Sequence, residues 1–210
     1  MKNSKAWLAI AIVFVVIVVD QLIKIWVKTN IYWGEDIEIL SWFHIRFVQN
    51  NGMAFGMELG SKLFLTLFRL IAVGVLGWII YKLCKNKAYP KGFVACVALI
   101  TAGAAGNIFD CVFYGEIFNN PYPPEIATFV PWGEGYAPLF HGLVVDMLYF
   151  PLFSFQWPEW VPFFAGKTFS FFDPVFNFAD SAITVGMAAL ILFYSKYLGG
   201  KQIEETTSAE

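Results

Sequence analysis

The chain alternates long apolar runs with shorter mixed segments. Four runs, roughly Ala6–Val27, Lys62–Leu83, Gly92–Tyr114 and Val175–Leu198, each hold the about 20 mostly apolar residues that a helix needs to cross a bilayer. The few polar residues inside these runs keep to one level. Asp20 lies in the outer half of the first run, Arg69 a short way into the second, Asn107 and Asp110 near the end of the third, and Asn177 and Asp180 near the start of the fourth. The last two pairs have i, i+3 spacing, which puts both members of each on one helix face. Polar groups scattered for unrelated structural reasons have no cause to share a depth, whereas a common site just below one membrane surface explains them.

The connecting segments read differently. Phe43-His44-Ile45-Arg46-Phe47-Val48-Gln49-Asn50 mixes β-branched and aromatic residues in partial alternation, which predicts a short strand or hairpin. It runs into a small-residue turn, Asn50-Asn51-Gly52-Met53-Ala54-Phe55-Gly56. Gly115–Leu139 is rich in Pro, Gly, Tyr and Trp, and Met147–Pro174 carries eleven aromatic residues and four prolines, so neither spans as a helix. Trp and Tyr favour the lipid headgroup region, and both segments are expected as interfacial loops or short surface helices. The polar tail, residues 199–210, is expected to be disordered and cytoplasmic. The prediction is one domain over residues 1–198: an all-α integral membrane bundle of four transmembrane helices, with a small extracytoplasmic β-element and interfacial aromatic loops.

Composition and charge fix the solvent and the direction. Of 210 residues 58% are hydrophobic and 14% charged, against roughly 45–50% and about 25% in soluble domains, so the solvent is lipid. Lys2 and Lys5, then Lys82, Lys85, Lys87 and Lys91, then Lys196 and Lys201 mark the two termini and the loop between the second and third runs as cytoplasmic. Acidic residues dominate the segments 29–61 and 115–174, which read as extracytoplasmic; Lys24 and Lys28 point the other way but are outweighed. The first run is too long for a secretory signal and lacks a small-x-small cleavage site after it. A net charge near −2 gives no case for nucleic acid. Three cysteines without CxxC spacing, and two isolated histidines, predict neither a metal site nor a disulfide framework, and no cofactor is expected.

The candidate chemistry lies in two aspartates, Asp146 in Gly142-Leu143-Val144-Val145-Asp146 and Asp180 in Phe176-Asn177-Phe178-Ala179-Asp180-Ser181. A carboxylate in such a setting needs a partner, a wet cavity or a chemical task. Two that converge make an acid–base pair able to share one proton, because both cannot easily ionise together. Asp20 and Lys24, at i, i+4, read as a structural ion pair. Asp110 reads as a brace of the third span, Gly103 to Gly106 as close-packing residues, and Arg69 as a snorkelling or paired cation. His141 has no partner motif.

In chain order the motifs are Asp20-Gln21-x-x-Lys24, Asn50-x-Gly52-x-Ala54-Phe55-Gly56, Gly103-Ala104-Ala105-Gly106-Asn107-x-x-Asp110, Gly142-x-Val144-Val145-Asp146 and Phe176-Asn177-x-Ala179-Asp180-Ser181. Five motifs in this order on a four-span frame resemble the bacterial lipoprotein signal peptidases, the signal peptidase II family. The long segments on either side of Gly142–Asp146 are unusual for that family. The resemblance implies an intramembrane aspartyl endopeptidase of the bacterial inner membrane, a monomer in contact with membrane lipid. It would remove the signal peptide of a diacylglyceryl-modified prolipoprotein, cleaving before the lipid-modified cysteine. It also implies that Asp146 and Asp180 are catalytic, that Asn50, Gly52, Gly103, Asn107, Asp110 and Asn177 support the site or the substrate, and that Asp20 and Lys24 are structural. The family's usual arginine after the third-span aspartate is here Cys111, leaving Arg46, Lys167 or Arg69 to supply a cation. The competing reading is a small transporter or proton-conducting protein that uses intramembrane acids.

Overall fold

The computed structural model describes residues 3–51 and 62–198. Helix α1 (Asn3–Asn30) leads into a hairpin of β1 (Asp36–Leu40) and β2 (Phe43–Asn50). Helices α2 (Lys62–Lys85) and α3 (Lys91–Phe109) follow; α3 continues through a π-helical turn, Asp110–Tyr114, into the short α4 (Gly115–Ile117). After a long loop come β3 (Val144–Tyr149), a ribbon of β4 (Phe153–Gln156) and β5 (Thr168–Phe171), and α5 (Phe178–Tyr194), closed by a 3-10 turn at Ser195–Tyr197. Among the described residues four helical stretches, Ser4–Asn30, Lys62–Lys85, Lys91–Ile117 and Phe178–Tyr197, are long and apolar enough to cross a membrane. The fourth starts three residues later than the apolar run because Asn177 caps it. The polar tail and Gly52 lie outside the described residues.

The third span is the hub. It packs against α1, α2 and α5, and its window is 56% buried, against 6–22% for the others, which turn large apolar side chains outward. Gly103 lets α5 approach, since a Cβ there would stand 2.2 Å from the Ala179 carbonyl oxygen. That oxygen belongs to rigid helix backbone, so Gly103→Ala is expected to destabilise the bundle by about 1–3 kcal/mol, the usual range for overpacking. Gly74→Ala on α2, where a Cβ meets nothing within 4 Å, is the matched control. Thermal unfolding in detergent compares them; equal midpoints would show that α5 yields freely.

The outer sheet has the order β1-β2-β3, all antiparallel. The hairpin answers to the predicted alternation. The third strand was not foreseen: it holds Asp146, and its second half, from Met147 to Tyr149, lies where an interfacial loop or surface helix was expected. Its backbone also bridges to Phe176: Leu148 and Met147 donate to the Phe176 carbonyl at 2.7 and 3.1 Å, and Phe176 N–H donates to Leu148 at 3.0 Å. This ties the Asp146 strand to the residue just before the α5 cap.

Candidate active site

Three local devices bring the site together. The first is a β-bulge. β2 and β3 pair as His44↔Tyr149 and Ile45↔Leu148, then slip by one residue to Val48↔Asp146 and Asn50↔Val144. Side chains alternate faces along a strand, so a one-residue shift turns all that follow over. Without the extra residue Asn50 would lie on the face opposite Asp146; with it, Asn50 Nδ2 donates to Asp146 Oδ2 at 3.0 Å.

The second device is the π-turn after α3. Its wider winding leaves carbonyls free for outside donors. Gly142 N–H donates to Cys111 O at 2.9 Å and Phe140 N–H to Val112 O at 3.2 Å. Gly142 has no room for a side chain, because a Cβ would lie 2.1 Å from the Asp110 carbonyl oxygen. Asp110 also accepts from Val145 N–H, Oδ2 at 3.2 Å, and so holds the residue preceding Asp146.

The third device is the α5 N-terminus. Asn177 and Asp180 form a capping box: Asn177 Oδ1 accepts from Asp180 N–H at 3.0 Å, and Asp180 Oδ2 accepts from Asn177 N–H at 3.3 Å. The first turn of a helix, with its free N–H groups and positive dipole end, suits a carboxylate.

Together these place Asp146 and Asp180 about a shared pair of amides. Asn177 Nδ2 donates to Asp146 Oδ1 at 2.6 Å and to Asn107 Oδ1 at 3.0 Å; Asn107 Nδ2 donates to Asp180 Oδ1 at 2.7 Å. Asp146 is buried, 2% exposed, while Asp180 is half-buried. Burial pushes the Asp146 carboxyl up to about 7; the Asn50 bond opposes this, and the charge of Asp180 adds to it.

Beneath the pair lies a second polar cluster. Lys24, fully buried, donates to Asp20 Oδ2 at 3.0 Å, Asp110 Oδ2 at 2.8 Å and Asn107 Oδ1 at 2.7 Å. These three bonds use every hydrogen of its ammonium. Asp20 Oδ1 accepts from Ala179 N–H at 2.9 Å, capping another free donor of α5. Gln21 was quoted in the sequence motif without a role. Its amide donates to Asp20, to the Gly106 carbonyl and to Asp110, and its oxygen accepts from Tyr114 at 3.0 Å. The signal was adjacency to Asp20, and on a bare sequence that carries little.

Two cations stand at Cys111: Arg69, with Nη1 3.7 Å from Cys111 Sγ, and Lys62, whose ammonium also meets the Cys111 side chain. Arg46 instead lies over the Tyr149 ring and Lys167 over Phe164. Inward from Asp20 and Gly106, the buried side chains of α1, α3 and α5 are apolar apart from Thr101, whose hydroxyl donates to Val97 O. Among the described residues no chain of buried polar groups crosses the bundle, and no three His, Cys, Asp or Glu converge as metal ligands.

Residues 12–196 match the family model described as signal peptidase (SPase) II. A lipoprotein signal peptidase of Porphyromonas gingivalis is 46% identical over 205 residues, covering 95% of this chain and 90% of that protein. Another, of Amoebophilus asiaticus, is 38% identical over 198 residues, covering 90% and 78%. Among solved structures, a bacterial membrane enzyme superposes with a TM-score of 0.60 at 23% identity over 92% of this chain and 90% of its own, a likeness of fold.

Proposed function

The chain belongs to the signal peptidase II family, and we propose that Asp146 and Asp180 are the carboxylates with which it cleaves. It is a membrane aspartic endopeptidase that removes signal peptides from prolipoproteins. The observation that carries the assignment is the pair of amides, Asn177 and Asn107, that touches both carboxylates at once.

Asp146, pushed up to about 7, keeps the shared proton near neutral pH, and Asp180 is the base. Asp180 takes a proton from water, and the resulting hydroxide attacks the scissile carbonyl carbon. Asp146 donates its proton to the carbonyl oxygen, giving a neutral tetrahedral diol. As the diol collapses, Asp180 returns its proton to the leaving amine and Asp146 recovers its own. Asn50, Asn107 and Asn177 hold the carboxylates at fixed oxygens, and Arg69 and Lys62 supply positive charge beside Cys111. The scissile bond is the one before a diacylglyceryl-modified cysteine, which arrives from the lipid surface.

The termini are cytoplasmic and the site lies near the extracytoplasmic face. The burial of Lys24 and Lys28 supports this direction. Lys28 stands 5.2–5.7 Å from the ring centroids of Phe47, Phe118 and Tyr136. Both lysines are therefore interior side chains, and setting them aside leaves the lysine-rich flanks uncontradicted.

The test is the pH dependence of cleavage of a lipid-modified precursor. Activity needs the Asp146 proton, so kcat/KM is expected to fall as pH rises through about 7. Asn50 bonds the charged form of Asp146, so Asn50→Ala raises that carboxyl further and moves the alkaline limb up, by about one unit if the bond is worth the usual 1.5–3 kcal/mol in part. A limb that stays fixed or moves down would remove Asp146 as proton holder.

A further inference from the structure

The ribbon between Asp146 and Asp180 has no part in the site described above. Its strands pair Phe153↔Phe171 and Phe155↔Phe169, so four phenylalanines occupy directly opposite positions on one face. The alternate positions, 154, 156, 168 and 170, are all polar in sequence. All four phenylalanines are exposed, and at the tip Trp160 and Phe163 are 81% and 89% exposed. The ribbon carries one acidic and one basic residue, Glu159 and Lys167, and so has no net charge with which to seek a charged partner.

A lone two-stranded ribbon is at best marginal in water, and an exposed apolar face of this kind marks an interaction surface. We infer that the ribbon lies in the lipid interface of the same bilayer that the spans cross, its phenylalanine face and tip toward the acyl chains and its polar face toward water. Continuity with the spans selects lipid as the occupant. The ribbon follows β3 after a three-residue link and ends shortly before α5, itself a spanning helix. At its root an aromatic chain leads back to the sheet: Phe172 meets Phe176 at 6.0 Å, Phe176 stacks on Phe150 at 5.6 Å, and Phe150 on Trp42 at 6.2 Å. Aromatic rings with polar groups beside them are the chemistry of the headgroup boundary. Because the ribbon joins the Asp146 strand to the Asp180 helix, seating it in lipid fixes the height of both at the surface where a lipid-anchored substrate lies.

The experiment uses the full chain in nanodiscs of phosphatidylethanolamine and phosphatidylglycerol, without substrate. An environment-sensitive fluorophore is attached at Trp160→Cys, at Phe163→Cys, or at Gln156→Cys on the polar face. The background is Cys84→Ala, since Cys96 and Cys111 are buried. The tip labels are expected to be quenched several-fold more by spin-labelled lipid, and several-fold less by aqueous iodide, than the Gln156→Cys label. Equal iodide access at all three positions would overturn the inference. So would tip labels shielded from both quenchers, which would mean contact with protein, either this chain or a second copy. Asp146→Asn gives the same lipid quenching if the inference holds, so its fate is separate from that of the catalytic assignment.

Discussion

Processing of a lipid-modified precursor is expected to fall by roughly 10²–10⁴-fold in Asp146→Asn and in Asp180→Asn, the range that general acid–base groups contribute. The double variant is expected to be little worse than either single one, because a pair sharing one proton acts as a unit. Loss of folding would give the same loss of product, and the Asp146 carboxyl separates the two explanations. Its folded pKa is raised to about 7 from 3.8. Between those values the unfolded chain has released a proton that the folded chain still holds, so stability falls as pH rises across that window, and the penalty is complete above about 7. Asn at 146 carries no such penalty. At pH 8 Asp146→Asn is expected to be at least as stable as the parent and yet inactive. Asn50 and Asn177 remain beside its side chain, with one of their two bonds lost because the amide nitrogen cannot accept. Chromatography and thermal unfolding beside a cleavage assay read both quantities. Normal processing in either single variant would end the assignment of the pair.

Much of this architecture was legible because lipid simplifies the code. A span must be apolar for its whole length, so the four helices and the level of their polar residues stood in plain view. Strand β3 did not. Val144-Val145-Asp146-Met147-Leu148-Tyr149 is buried at nearly every position, and a strand covered on both faces has no alternation to read. The β4–β5 ribbon had the opposite fault. Phe-x-Phe spacing on both strands is a period-2 signal, but the density of aromatic residues drew the reading toward interfacial loops or surface helices.

The site was legible as residues and not as geometry. Asp146, Asp180, Asn50, Asn107 and Asn177 are all marked by their motifs. What makes them one site is a slip in pairing between Ile45 and Val48, a π-turn at Asp110 and a capping box, none of which leaves a composition signal. The two lysines that count against the chosen direction, Lys24 and Lys28 at the outer end of the first span, could only be outweighed in the sequence; burial, at 0% and 1% exposure, shows that they face inward.

Lys24 is where the largest loss of stability is expected. Its ammonium lies between Asp20 and Asp110, both fully buried, and also fixes the Asn107 amide by bonding its oxygen. Breaking a buried pair from one side costs about 3–5 kcal/mol, because a charge is left without compensation; Lys24→Met leaves two. The Asn107 amide then loses one of the two bonds that turn its nitrogen toward Asp180, with only the Asn177 amide left on its oxygen, so whatever fraction folds is expected to cleave more slowly as well. The test of this account is coupling. Asp20→Asn alone removes the cap oxygen from Ala179 only in part and leaves Lys24 paired with Asp110. The double variant Asp20→Asn, Lys24→Met has one uncompensated carboxylate in place of two, and is expected to be more stable than Lys24→Met alone. Chemical denaturation in detergent measures all three, and a coupling of roughly 0.5–3 kcal/mol is the range for groups in direct contact. Strictly additive losses would mean that the cluster is filler between helices. A favourable coupling would mean that the charges under the catalytic pair hold one another, and through Asn107 hold the carboxylate of Asp180 in place.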